Sequence, residues 1–258
     1  MDKLFAAGNY LRYQLFAKNA HDIHSPFVFD LLNNVIRDKT LFYGFDFIDS
    51  VYSSQLLNHR KIEVTDFGTG KPQRFERISD IAAKAVKPKK YARLLFRLIN
   101  RFSTKNILEL GTSLGITTLY LSLPDKNNRI ITLEGSPEIA SIARDNFNIM
   151  KRSNIEIIEG EFDETLPKAI SKFTQLDLVF FDGNHRKTPT LSYFEKCLNL
   201  SREGSIFIFD DIHWSREMES AWETIKENSA VTLTVDLFQM GIVFFKKGVI
   251  KQHFTLKY

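Results

Sequence analysis

The sequence predicts an α/β protein with a mostly parallel sheet, an antiparallel last strand and an N-terminal helical cap. Two observations carry this. After residue 105, strand and helix candidates alternate five times, which means parallel strands joined by helical crossovers. Near the end, residues 231–235 and 241–245 are separated only by a short DLFQM-type connection. That spacing forces a hairpin, so the last strand runs antiparallel at or near the sheet edge.

The cap spans residues 1–100, and the α/β domain residues 101–258. The cap begins with an amphipathic helix over residues 2–18, with Leu4, Leu11 and Leu15 along one side. Ser25-Pro26 reads as an N-cap followed by Pro at the first helical position, opening a helix through FVFDLLNNVI. His21-Asp22-Ile23-His24 precedes this cap without an evident third ligand, so it reads as a loop rather than a metal site. Residues 41–75 are aromatic and poorly periodic. Within them Asp66-Phe67-Gly68-Thr69-Gly70 imitates a nucleotide loop but lacks a following βα series, so it is expected to be a loop of the lid, with Phe67 or Phe75 toward substrate. A helical pattern returns over residues 77–102, broken at Pro88.

The strand candidates are residues 106–110, 129–133, 155–159, 176–181 and 205–209. Helices are expected at 115–123, 136–150, 163–172, 187–200 and 214–228. Cys197 lies inside the fourth of these helices and reads as core. Trp214 and Trp222 are eight apart on the last one. Trp222 is expected to pack, and Trp214, just after an Asp pair, to wall an acceptor pocket.

Composition excludes whole classes. Of 258 residues 43% are hydrophobic and 26% charged, with 12 Gly and 7 Pro, so collagen-like, low-complexity and disordered chains are ruled out. One cysteine excludes a disulfide scaffold. No apolar run approaches the roughly 20 residues that cross a bilayer. Asn9, Arg12 and Gln14 interrupt the N-terminus where a signal peptide needs an apolar core, so a reducing cytoplasm and no membrane partner are expected. Residues 60–105 hold 13 basic and four acidic side chains. Such a stretch is a solvated helix surface or a phosphate-facing one.

In parallel α/β sheets ligands bind beyond the carboxyl ends of the strands. The first strand ends Glu109-Leu110-Gly111-Thr112-Ser113-Leu114-Gly115. Two glycines four apart let backbone approach a ligand closely, while the dinucleotide and phosphate-loop spacings are absent. The second strand ends in Glu134, where an acid can accept hydrogen bonds from both ribose hydroxyls. The third leads into Gly160-Glu161-Phe162-Asp163, the fourth into Asp182-Gly183-Asn184-His185, and the fifth into Asp210-Asp211-Ile212-His213-Trp214.

These segments resemble class I S-adenosylmethionine-dependent methyltransferases: ILELGTSLG, ITLEGS and IIEGEFDETL stand in the order of that family's motifs. LDLVFFDGNH followed by SIFIFDDIHW resembles the catechol-type O-methyltransferase branch. The similarity covers about residues 90–246 and implies a Rossmann-like methyltransferase sheet. It implies Gly111, Gly115 and Thr117 around the methionine moiety of S-adenosyl-L-methionine and Glu134 at the ribose, with Glu109, Thr112 and Ser113 also at the cofactor. Glu161, Phe162 and Asp163 would lie near the adenine, with Asp182 at the cofactor's ammonium.

The same resemblance permits Mg²⁺ on Asp182, Asp210 and Asp211. Two departures stand out. The branch usually has Asp-Asn where this chain has Asp210-Asp211, and a lysine base where it has His185. The extra carboxylate either tightens metal binding or replaces the metal with a shifted pKa. His185, with Asp182, is the candidate general base. The expected function is O-methylation of a small-molecule acceptor. The alternatives are an RNA or protein methyltransferase using the basic stretch, or a non-catalytic cofactor-binding module. Absence of an N-P-P-aromatic motif and of a Pro-Cys nucleophile counts against nucleic acid.

Overall fold

A computed structural model describes residues 3–65 and 73–258; the Asp66–Gly70 loop lies outside them. The chain divides into two compact units, one formed by Met1–Asp38 with Thr174–Tyr258 and the other by Lys39–Phe173.

The first unit opens with α1 (Lys3–Phe16), close to the predicted span. Its outward side differs from a simple amphipathic expectation, because Leu11 and Leu15 are exposed whereas Tyr13 and Ala17 are buried. Tyr13 anchors the helix instead. Its hydroxyl donates to the Leu256 carbonyl at 2.6 Å and accepts from the Tyr258 amide at 2.9 Å, and its ring meets Phe238. In α2 (Pro26–Leu31) the Ser25 hydroxyl accepts from the Val28 amide with Pro26 at the first position, as predicted. A wider helical turn continues through Leu32–Ile36.

The Lys39–Phe173 unit begins with α3 (Gly44–Leu56) and a hairpin of β1 (Lys61–Thr65) and β2 (Gln73–Arg77), paired antiparallel. This hairpin was invisible to pattern reading. Only Ile62 and Val64 turn inward, and QRFER offers no apolar alternation. Then come α4 (Ile78–Ala85) and α5 (Lys89–Phe102), separated at Pro88 as expected. The βα series follows: β3 (Asn106–Leu110), α6 (Ile116–Ser122), β4 (Arg129–Glu134), α7 (Pro137–Ile149), β5 (Ile155–Glu159) and α8 (Phe162–Ile170). β3, β4 and β5 are parallel neighbours. Phe45, Ile48, Ala92 and Phe96 share one buried core with Leu119, Ala143 and Phe147. This shared core explains why compactness divides the chain near residue 39 whereas sequence texture changes near residue 100.

The first unit resumes with β6 (Leu178–Phe181), α9 (Lys187–Leu198), β7 (Ile206–Asp210), α10 (Arg216–Glu227), β8 (Leu233–Asp236), β9 (Met240–Phe244) and β10 (Gln252–Thr255). β6 and β7 are parallel, and β9 runs antiparallel between β7 and β8, as the short connection required. β10 extends this sheet parallel to β8. Its polar, half-exposed QHFT gave no strand signal. Trp222 is buried against Phe209, and a Cβ on Gly241 would meet its ring at 2.7 Å. Trp214 is not on the same helix. Ser215 caps α10, leaving Trp214 in the preceding turn and partly exposed. Cys197 is buried. Among the described residues no helix is long and apolar enough to cross a membrane.

Candidate cofactor loop and acidic cluster

The turn leaving β3 is built from left-handed backbone: φ is 107° at Gly111, 48° at Ser113 and 76° at Gly115. Glycine suits the first and last of these, since a side chain there is strained. At Gly115 packing adds a second reason, because a Cβ would lie 2.5 Å from the Phe147 ring. The Gly111 and Thr112 amides both donate to the Leu133 carbonyl, at 3.1 and 3.0 Å. The turn is thereby folded toward the end of β4.

Glu134 sits at that end. Its Oε2 accepts from the Ser113 amide at 2.8 Å, its Oε1 from the Ser136 amide at 2.9 Å, and its carbonyl from the Gly160 amide at 2.9 Å. The ends of β3, β4 and β5 are therefore linked through Glu134, whose half-buried carboxylate holds the β3 turn and whose backbone carbonyl holds Gly160. Beyond β5, Gly160 is left-handed and Glu161 caps α8; Glu161 and Asp163 are exposed, and Phe162 is half-buried.

Two predicted cofactor residues lie below this rim. Glu109 is fully buried, and its Oε2 accepts from Thr118 at 2.5 Å and Thr132 at 2.7 Å. The Thr112 hydroxyl, also buried, shares a 2.6 Å hydrogen bond with Thr132. Thr117 is buried in α6. A buried carboxylate needs such donors to offset its lost hydration, and this set ties β3, β4 and α6 together.

In the other unit, Asp182, His185 and Asp210 offer ligand atoms within 4.8 Å of one another. His185 Nε2 is 3.9 Å from Asp182 Oδ1, and Asp210 is buried. The expected trio with Asp211 is not what the fold assembles. Asp211 is outside this group among the described residues, and His185 takes its place. Side chains of successive residues leaving a strand point to opposite faces. Asp211 also turns left-handed, with its amide on the Gln239 carbonyl. The two carboxylates suit Mg²⁺ or Mn²⁺, while an imidazole is a more usual ligand of transition ions such as Fe²⁺ or Zn²⁺.

A further pair in this unit escaped sequence reasoning. His213 Nε2 lies 2.7 Å from Asp236 Oδ2, with Glu219 3.6 Å from Nδ1 and Phe238 stacked on the ring. Asp236 ends β8, and only β9 separates that strand from Asp210. The signal available was a histidine following Asp210-Asp211, but Asp236 read as part of a hairpin connection.

Residues 108–212 match the family model Methyltransf_24, described as a methyltransferase domain. The chain is 35% identical over 127 residues to the catechol O-methyltransferase of Niastella koreensis, a match covering 48% of this chain and 55% of that protein. The chain spans about half the length of the curated relatives it matches. In fold it is similar to the O-methyltransferase from Bacillus cereus in complex with SAH (21% identity, 84% of this chain and 97% of that one, TM-score 0.57). It is also similar to the O-methyltransferase TomG from Streptomyces achromogenes in complex with SAM (18% identity, 80% and 100%, TM-score 0.56). Residues 108–212 are thus similar to a methyltransferase domain, and the fold is similar to that of the O-methyltransferases solved from Bacillus cereus and Streptomyces achromogenes.

Proposed function

We propose that this chain transfers a methyl group from S-adenosyl-L-methionine to an oxygen of a small-molecule acceptor, assisted by a divalent metal ion. The observation that carries the reading is the convergence of the Ser113 and Ser136 amides on Glu134, beside a turn opened by Gly111 and Gly115. Bound there, the cofactor supplies an electrophilic methyl on a sulfonium.

In this reading Glu134 accepts from the ribose hydroxyls while its amide partners hold it in place. Gly111, Ser113 and Gly115 present backbone to the methionine moiety, and Glu161, Phe162 and Asp163 border the adenine. Glu109 and Thr112 act from beneath, by fixing the turn that Thr117 and its helix follow. Asp182 serves the cofactor's ammonium or the metal.

Asp182, His185 and Asp210 would hold the metal, which when bound lowers the pKa of an acceptor hydroxyl. An imidazole nitrogen that ligates a metal has no lone pair for a proton, so His185 is either a ligand or the base. The 35% identity to a catechol O-methyltransferase favours an oxygen acceptor. A small acceptor is also favoured by the fate of the basic stretch. Arg74 and Lys84 pair with Glu76, Lys89 and Arg93 with Asp49, and Lys105 with Asp125, so five of its 13 cations are engaged with three carboxylates of the chain itself. A reducing cytoplasm remains part of the proposal.

Incubation with cofactor radiolabelled on the methyl group and fractionated cell extract tests this. Label should enter small organic molecules. Label confined to RNA or protein, or no transfer despite cofactor binding, would overturn it.

A further inference from the structure

We propose that the Lys39–Phe173 unit holds a second small-molecule site, remote from the cofactor turn. It would take an anionic head on a flat apolar body, the chemistry shared by aryl phosphates and aryl carboxylates. A cavity of about 370 Å³ opens between the start of α3 and the far ends of α6 and α7. Its lining includes Tyr43, Phe47, Ile149, Lys126, Lys151 and Arg152. That volume suits a ligand of one or two rings.

Charge in the cavity has one sign. Three cations line it, and among the described residues no aspartate or glutamate does. Arg152 is the most constrained of the three. One guanidinium nitrogen, Nη1, donates to the Ser122 carbonyl at 3.3 Å, while Nε is buried without a hydrogen-bond acceptor. Burial works against its charge, a cost that an anion seated there would offset.

Cations at helix C-termini are ordinary partners for the last carbonyls, and this accounts for Lys151 and Arg152 by themselves. It does not account for the apolar walls beside them. Tyr43 is 74% exposed, Phe47 59% and Ile149 64%. Clustered large apolar side chains left open to water mark interaction sites. Cations and aromatic faces together describe a ligand with both characters.

The site is separate from the cofactor turn by construction. α7 starts just after Glu134 and runs 13 residues, about 20 Å, before reaching Ile149 at the cavity. A ligand bound here would therefore not compete with S-adenosylmethionine.

Met150 lines the cavity and supplies a local probe. The full chain, labelled with ¹³C on its methionine methyl groups, is titrated with phenyl phosphate, and the Met150 signal is assigned through Met150→Leu. The Met150 signal should move while those of buried Met218 and Met240 stay in place. Benzyl alcohol and benzylamine should bind at least about tenfold more weakly, as loss of a charge-assisted hydrogen bond requires. Lys126 and Lys151 are exposed, so the Lys126→Gln/Lys151→Gln variant should fold normally yet lose about tenfold in affinity. Arg152→Gln should weaken binding similarly. A Met150 signal unmoved at millimolar phenyl phosphate, or equal affinity for benzylamine, would overturn the proposal. So would undiminished affinity in the folded double variant, or inorganic phosphate acting as well as phenyl phosphate.

Discussion

The Ser113 amide donates to Oε2 of Glu134 at 2.8 Å, tying the turn after β3 to the end of β4. With the Ser136 amide on Oε1, each carboxylate oxygen is held by a backbone amide. An ionised carboxylate offers about four lone-pair sites, so it can accept from ribose hydroxyls as well as from amides. Glu134→Ala should weaken binding of S-adenosylhomocysteine by about 100-fold or more, since hydrogen bonds to a charged group are worth about 1.5–3 kcal/mol each. Calorimetric titration measures this directly. Unchanged affinity in a variant that melts normally would remove Glu134 from the site.

Gly115 faces two independent penalties on substitution. Its φ of 76° is left-handed, and an added Cβ would meet the Phe147 ring at 2.5 Å and the Ala143 Cβ at 3.2 Å. Gly115→Ala should therefore destabilise the chain by about 2–5 kcal/mol, combining backbone strain with overpacking. In a Phe147→Leu background the same change should cost less, because the steric part is relieved and the strain remains. Equal costs in both backgrounds, measured by urea denaturation, would show that the ring does not limit this turn.

Much of this fold was legible because its strands obey one rule. β3 and β5 fall on their predicted bounds, and the other parallel strands differ by one or two residues, since parallel strands are short, largely apolar runs set between turn residues. The hairpin of β1 and β2 and the terminal β10 were illegible for the converse reason. Their side chains are largely polar, and what makes them strands is their pairing partners. At the rim, Glu134 could be read because its position follows from strand length. That Glu109 turns down to Thr118 and Thr132, and that His185 rather than Asp211 joins Asp182 and Asp210, depends on side-chain direction, which spacing does not encode.

That substitution in the acidic cluster makes a metal prediction specific. Mn²⁺ binding, followed by electron paramagnetic resonance, should be weakened at least about tenfold by Asp210→Asn, the lower range of losses at metal sites. Asp211→Asn should leave it nearly unchanged. Chelation should suppress methyl transfer and Mg²⁺ should restore it. If His185→Ala abolishes transfer with Mn²⁺ affinity intact, His185 is the base and the metal rests on other groups. Full transfer under chelation would dispense with the metal altogether.

Tyr13 supplies a pH-dependent anchor for α1. Burial pushes its hydroxyl up to about 12 from an ordinary value near 10, against a smaller opposing effect of the Tyr258 amide. The folded chain thus holds this proton more tightly than the unfolded one. The stabilisation it brings is complete below about pH 10 and is lost as pH rises toward about 12, because the unfolded phenol ionises first. Tyr13→Phe removes the hydrogen bonds to the Leu256 carbonyl and from the Tyr258 amide, so it should be less stable than the parent at neutral pH by about 1–3 kcal/mol. Titration of every other tyrosine and lysine is common to both proteins and cancels in the difference. The gap between their denaturation midpoints should therefore stay constant up to about pH 10 and narrow above it. A gap that stays constant to about pH 12 would mean that Tyr13 ionises alike in both states and that the α1 anchor is no more buried than an ordinary surface phenol.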